Sequence, residues 1–194
     1  MKLFLIRHGI TDANKKGAYC GVADPILNQE GFLQVFDLKK SDNQIIPDII
    51  YCSDRRRACQ TAQILFPGMG MVITSDLCEI NFGSWEGMTY QDISKSCSGL
   101  YANWMQYPYQ YTPPGGEKLS DMEKRVIVFL NNIFKAHPEQ KVVCVTHGGP
   151  IRVMACYLLK KEFRDFWSVS IDPASISYFQ LSGQHIVSHY LNKT

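Results

Sequence analysis

No apolar run in this 194-residue chain is long enough to cross a bilayer, and the one near the start meets Arg7 and His8 too soon for a secretory leader. Charge of one sign is also missing. With 20 basic and 18 acidic residues the net charge is only +2, which excludes general affinity for polyanions, so negative groups must be held by locally placed arginines. The run Arg55-Arg56-Arg57 has no interleaved aromatic residue and makes a poor nucleic-acid patch. The seven cysteines, at 20, 52, 59, 78, 97, 144 and 156, contain no Cys-x-x-Cys pair. An odd, unpatterned set predicts reduced thiols in a cytoplasmic protein rather than a disulfide framework. A Gly-x-Ser-x-Gly elbow and a Walker phosphate loop are absent, as are internal repeats and low-complexity tracts.

What is present suits one ordinary α/β domain spanning residues 1–194, with 45% hydrophobic residues. Lys2 to Ile6, Asp48 to Cys52 and Lys141 to Thr146 are continuous aliphatic and β-branched runs, the character of strands covered on both faces. Helices are expected at Asn28 to Lys40, Arg55 to Phe66, Ser120 to Ala136 and Gly149 to Lys160. The third carries a capping-box pattern, Ser120 with Glu123, and His137-Pro138 stops it. In the fourth, Pro150 falls in the first turn, leaving Gly148 and Gly149 as a tight strand-to-helix turn whose N–H groups form an anion site. The aromatic-rich stretch at about 84–116, with Trp85, Tyr101 and Trp104, is expected to be a partly helical insertion over the sheet edge. Ser175 to Phe179 and His185 to Tyr190 alternate like an antiparallel hairpin. Together these predict a three-layer sandwich with a mainly parallel central sheet.

The chemistry sits at the strand ends. Arg7-His8-Gly9 follows one apolar run and Thr146-His147-Gly148 ends another, placing two histidines where open α/β sheets gather their sites. Phosphoryl transfer needs an in-line nucleophile, positive groups around the nonbridging oxygens and a proton source for the leaving alkoxide. A neutral His8 kept unprotonated by nearby arginines fits the first need, and the donor forks of Arg7 and Arg57 fit the second.

These residues resemble the histidine phosphatase, or phosphoglycerate mutase-like, superfamily. Arg7-His8-Gly9-Ile10-Thr11 with Asn14 resembles its opening motif, and Ser53 to Ala62 its second, whose register selects Arg57 among the three arginines. Glu79 to Gly87 resembles the acid-bearing segment, and Thr146-His147-Gly148-Gly149 the second-histidine segment. The resemblance implies a phosphohistidine at His8, proton donation and then water activation by Glu79, and a phosphate ligand in His147. It also implies substrate contacts from Asn14, Thr11 and the Gly148 backbone. No metal or cofactor is implied. Ile10 departs from the polar residue common at its position, and Val35 from a common alanine. Phe82-Gly83-x-Trp85-Glu86, Tyr101-Ala102-x-Trp104 and Pro114-Gly115-Gly116-Glu117 are most similar to the α-ribazole phosphatases of cobalamin assembly.

Other readings remain open at this level. Glu86 rivals Glu79 as the acid, with a structural role or a place at the pocket wall as its alternative, while Glu117 is expected to support the following helix. His185 and His189 share a strand face without an accompanying carboxylate, which disfavours a metal. Cys52 and Arg57 stand one residue short of the cysteine-phosphatase spacing. Sugar or glycerate phosphates are the rival substrates, with hydrolysis or mutase chemistry; a phosphate-binding scaffold without turnover is the rival outside enzymes. The oligomeric state is open.

Overall fold

The computed structural model describes residues 1–41, 45–183 and 185–194. Among them runs one six-stranded sheet, ordered β3-β2-β4-β1-β5-β6. Its strands are β1 (Lys2–Arg7), β2 (Ile49–Ser53), β3 (Val72–Thr74), β4 (Lys141–Thr146), β5 (Ile176–Ser182) and β6 (His185–Lys193). The first four pair in parallel, and the β5–β6 hairpin adds antiparallel beside β1. The helices are α1 (Asp12–Lys15), α2 (Gln29–Ser41), α3 (Arg56–Leu65), α4 (Tyr90–Gln106), α5 (Leu119–Ala136) and α6 (Gly148–Leu158).

Alternation along the strands divides the core into two layers. Leu3 and Leu5 of β1, with Val142 and Cys144 of β4, face α5 and α6; Ile6, Val143 and Val145 face α2 and α3. All seven side chains are fully buried, each aliphatic one worth about 1.5–3 kcal/mol relative to exposure. Helices therefore cover both faces of a mainly parallel sheet, as expected.

Differences from the expected elements have local causes. β3 is three residues long on an exposed edge, and α1 is a single turn, so neither leaves a periodic apolar signal. α5 begins at Leu119 with no side-chain cap, one residue before the expected Ser120. Buried Leu119 draws that residue into the core, and Glu123 accepts a hydrogen bond from Tyr109 instead of closing a capping box. The aromatic stretch holds a 17-residue helix, α4, kinked at Cys97. Trp85, Tyr101 and Trp104 pack edge-on or tilted against one another, and the last two also against Tyr19, whose hydroxyl meets that of Tyr101 at 2.6 Å.

Candidate active site

β1 and β4 lie side by side with Arg7 opposite Thr146, so His8 and His147 leave neighbouring strand ends together. Their ring centroids are 5.0 Å apart and the rings meet edge-on. β2 ends beside them at Ser53, and α3 supplies Arg57. Both histidines are buried.

Hydrogen bonds fix the form of each imidazole. Nδ1 of His8 lies 2.7 Å from its neighbour's carbonyl, Gly9 O, so Nδ1 carries the proton and Nε2 keeps its lone pair. Burial, then the charges of Arg7 and Arg57, hold His8 well below the usual histidine pKa, partly opposed by the Gly9 bond. His147 Nδ1 accepts from Arg57 Nε at 3.3 Å, so its proton sits on Nε2 and is donated to Ser53 Oγ at 2.8 Å. Burial, Arg57, His8 and Arg7 likewise depress the His147 pKa. Each ring is a neutral base at pH 7.

The arginines differ in what they have left to offer. Arg57 gives Nη1 to Ala23 O and Nη2 to the carbonyls of Cys20 and Gly21, in addition to the Nε bond with His147. Among the described residues Arg7 spends one bond, Nη1 to Ile171 O at 2.6 Å, and its buried Nε has no partner. A buried guanidinium with an orphaned donor marks a place where an anion is wanted.

Glu79 lies on the N-terminus of α6. Its Oε2 accepts from Gly149 N–H and its Oε1 from Ile80 N–H, both at 3.0 Å. A Cβ at position 149 would collide with Glu79 Oε1, so glycine is what lets the carboxylate lie there. The Gly148 N–H beside it forms no hydrogen bond with the described residues. Arg125 holds the acid segment in place, bonding Glu117 through two nitrogens at 2.8 and 3.0 Å while reaching the Glu79 carbonyl. Glu117 thus acts through Arg125 on the segment that carries residue 79, and also accepts from Asn81 N–H, rather than capping α5.

Glu86, the rival acid, accepts from the backbone N–H groups of Gly21, Val22, Ala23 and Phe82. It shapes the loop whose carbonyls hold Arg57. Thr11 and Asn14 form the capping box of α1, with Thr11 Oγ1 donating to Asn14 Oδ1 at 2.9 Å. The Asn14 amide nitrogen makes no hydrogen bond to the described residues, whereas the Thr11 hydroxyl is occupied.

Three residues carry roles the sequence reading did not assign. Ser53, there only the first residue of the second motif, anchors His147 from 94 residues away. Thr61 accepts from Gly9 N–H and donates to the Arg57 carbonyl, tying the His8 loop to α3. Arg152, one turn into α6, bonds Val169 O through Nε, lies over the Phe166 ring and leaves its terminal nitrogens without a hydrogen bond to the described residues. Glu79, Gly149 and Arg152 line a small hollow of about 50 Å³ walled by Ile80, Phe82, Trp104, Leu119, Phe166 and Trp167. Among the described residues the buried Trp104 indole N–H has no partner. His189, by contrast, stacks on Phe179 at the far edge of the sheet.

The profile of the histidine phosphatase superfamily (branch 1) matches residues 3–194. Phosphoserine phosphatase 1 of Hydrogenobacter thermophilus is 33% identical over 196 residues, covering 100% of this chain and 93% of that protein. The α-ribazole phosphatase of Shigella flexneri superposes with a TM-score of 0.92 at 26% identity, covering 100% and 96% of the two chains. The phosphoserine phosphatase of Entamoeba histolytica, solved with 3-phosphoglyceric acid, superposes with a TM-score of 0.88 at 27% identity, covering 100% and 97%.

Proposed function

The chain belongs to the histidine phosphatase superfamily, and from that membership we propose that it hydrolyses phosphomonoesters through a phosphohistidine on His8, without a metal ion. The observation that carries this reading is the tautomer of His8: with Nδ1–H committed to Gly9 O, the lone pair of Nε2 is presented among guanidinium groups.

Phosphate lies between Arg7, the Gly148 N–H and the Asn14 amide, whose donors are open. Donors of this kind are each worth about a hundredfold to a thousandfold in rate. His8 Nε2 attacks phosphorus, the bond to the ester oxygen breaks, and Glu79 in its acid form gives that oxygen its proton. The Glu79 carboxylate then takes a proton from water; the water oxygen attacks phosphorus and the N–P bond breaks, releasing inorganic phosphate and neutral His8. A bound dianion offsets the positive field that depresses His147, which on protonation turns Nδ1 from an acceptor for Arg57 into a donor to phosphate. Arg57, largely bonded to the backbone, supplies charge and holds His147.

For the leaving group we propose the 5'-alcohol of α-ribazole. Four aromatic side chains, Phe82, Trp104, Phe166 and Trp167, stand beside Glu79, ring surface suited to stacking a flat heterocycle, and the Trp104 N–H is a spare donor among the described residues. One observation favours a second substrate class: the end of Arg152, without a hydrogen bond to the described residues, suits a carboxylate-bearing ester such as phosphoserine or 3-phosphoglycerate. Open donors beside a neutral imidazole argue for turnover over scaffolding.

Turnover of α-ribazole 5'-phosphate, phosphoserine, 3-phosphoglycerate and glucose 6-phosphate in the presence of chelator tests the assignment. The expected result is a kcat/KM for the α-ribazole ester at least about tenfold above the rest, a preference worth about 1.4 kcal/mol. Preference for the acids, lost in Arg152→Leu, would install the second reading; no turnover without added metal would overturn both.

A further inference from the structure

Two thiols meet beside the site and take no part in the chemistry assigned to it. Cys52 is fully buried in β2, one residue before Ser53. Cys59 stands in the first turn of α3, two residues beyond Arg57, and is partly exposed. Both thiols donate to one backbone atom, the Ser53 carbonyl oxygen, at 3.2 and 3.4 Å, which brings the two sulfurs together around a shared acceptor. Through Oγ the same Ser53 holds His147. The pair therefore bridges the strand that anchors His147 and the helix that carries Arg57.

We propose that Cys52 and Cys59 are an oxidisable pair, closed to a disulfide by hydroperoxides and opened by thiols, and that closure turns the phosphate site off. The reaction begins at Cys59. It is the more accessible sulfur, and its neighbour Cys52 draws its pKa down, whereas the same pairing and then burial push Cys52 up. The Cys59 thiolate attacks a peroxide oxygen, the O–O bond breaks, and the departing hydroxide gains a proton to leave as water, giving a sulfenic acid. The Cys52 sulfur then attacks the Cys59 sulfur, the S–O bond breaks, and the hydroxyl leaves as water with the Cys52 proton. Two thiols and one hydrogen peroxide become one disulfide and two waters.

The disulfide acts on the site through Ser53. Bringing the sulfurs from a shared acceptor, the Ser53 carbonyl, to a bond of about 2.0 Å draws the end of β2 against the first turn of α3. The Ser53 carbonyl loses both thiol donors, and His147, held by Ser53 on one side and Arg57 on the other, is displaced from both. This effect on activity rests on the reading of the site given above; formation of the bond does not. Cys78 is the competing partner, 3.5 Å from Ser53 Oγ and bonded to Asp54 at 2.9 Å.

The test treats the purified full-length chain with hydrogen peroxide, alkylates free thiols and maps cysteine peptides by mass spectrometry, with turnover and inorganic-phosphate affinity followed in parallel. The expected result is a Cys52–Cys59 crosslink and a loss of turnover on the order of a hundredfold, restored by dithiothreitol. Cys59→Ser and Cys52→Ala should keep their activity under peroxide, and Cys78→Ser should stay sensitive. Both thiols remaining alkylatable, or a crosslink through Cys78, would overturn the pair. A Cys52–Cys59 crosslink that leaves phosphate affinity and turnover unchanged would overturn the switch. Because the crosslink and phosphate affinity are read without turnover, failure of the catalytic assignment is seen separately.

Discussion

His8 and His147 are neutral because charging either would place a cation in a dry pocket that already holds two guanidinium groups. Their folded pKa values lie below the ordinary 6.5, so below that pH the unfolded chain binds more protons than the native one. The stability owed to these rings is present in full above pH 6.5 and is lost as pH falls toward the folded values, by up to about 1.4 kcal/mol per pH unit for each ring. Thermal denaturation between pH 7.5 and 5 should show Tm falling with acid, more shallowly in His147→Gln. A Tm independent of pH across this window, or equal slopes in the two proteins, would contradict the buried neutral pair. Arg7, His8 and His147 were legible in the sequence because each stands at the end of an apolar strand run, whereas Arg57 and Glu79 were singled out by resemblance to family motifs. Ser53 and Arg152 were not, because their roles exist only through contacts between distant elements. The sequence reading also treated Arg7 and Arg57 as equal clamps, whereas backbone carbonyls consume most of the donors of Arg57.

Two helices point their N-termini at the site, and neither is capped by its own N-cap side chain. Remote carboxylates do the work: Asp24 accepts from Arg56 N–H at 2.7 Å on α3, and Glu79 from Gly149 N–H on α6. A candidate proton donor thus also completes a helix, which explains paired glycines where a helix would otherwise favour alanine. Gly149→Ala should therefore split stability from activity. Alanine adds up to about 1 kcal/mol of helix propensity, while its Cβ displaces the Glu79 carboxylate. The expected outcome is a Tm kept or raised, with kcat for alkyl esters down about a hundredfold and less change for p-nitrophenyl phosphate, whose leaving group needs little protonation. Equal losses on both esters, or none, would remove Glu79 from that role. β1, β2 and β4 were legible from continuous aliphatic runs, the β5–β6 hairpin from alternation, and α2, α3, α5 and α6 from helical spacing and turn residues, while the 17-residue α4 was expected only as a partly helical stretch. Tertiary packing of Leu119 moved the start of α5, and no periodic pattern announced α1 or β3.

The architecture brings Arg7, His8, Ser53 and His147 to one edge from three parallel strands, through crossover connections that place helices on both faces. Such a sheet edge can support many chemistries, so the fold alone assigns none. What distinguishes this edge is one imidazole whose Nδ1 is committed to a carbonyl, beside a buried Arg7 Nε that has no partner among the described residues. Rapid quench of the enzyme during turnover of a 32P-labelled phosphomonoester, followed by peptide mapping under alkaline conditions, reads that imidazole itself. Acid-labile, alkali-stable label is expected on the peptide carrying His8, at a burst approaching one phosphoryl group per chain, and absent from His8→Ala. Steady turnover with no label trapped on the chain, or label recovered on His147 or a cysteine, would contradict the account.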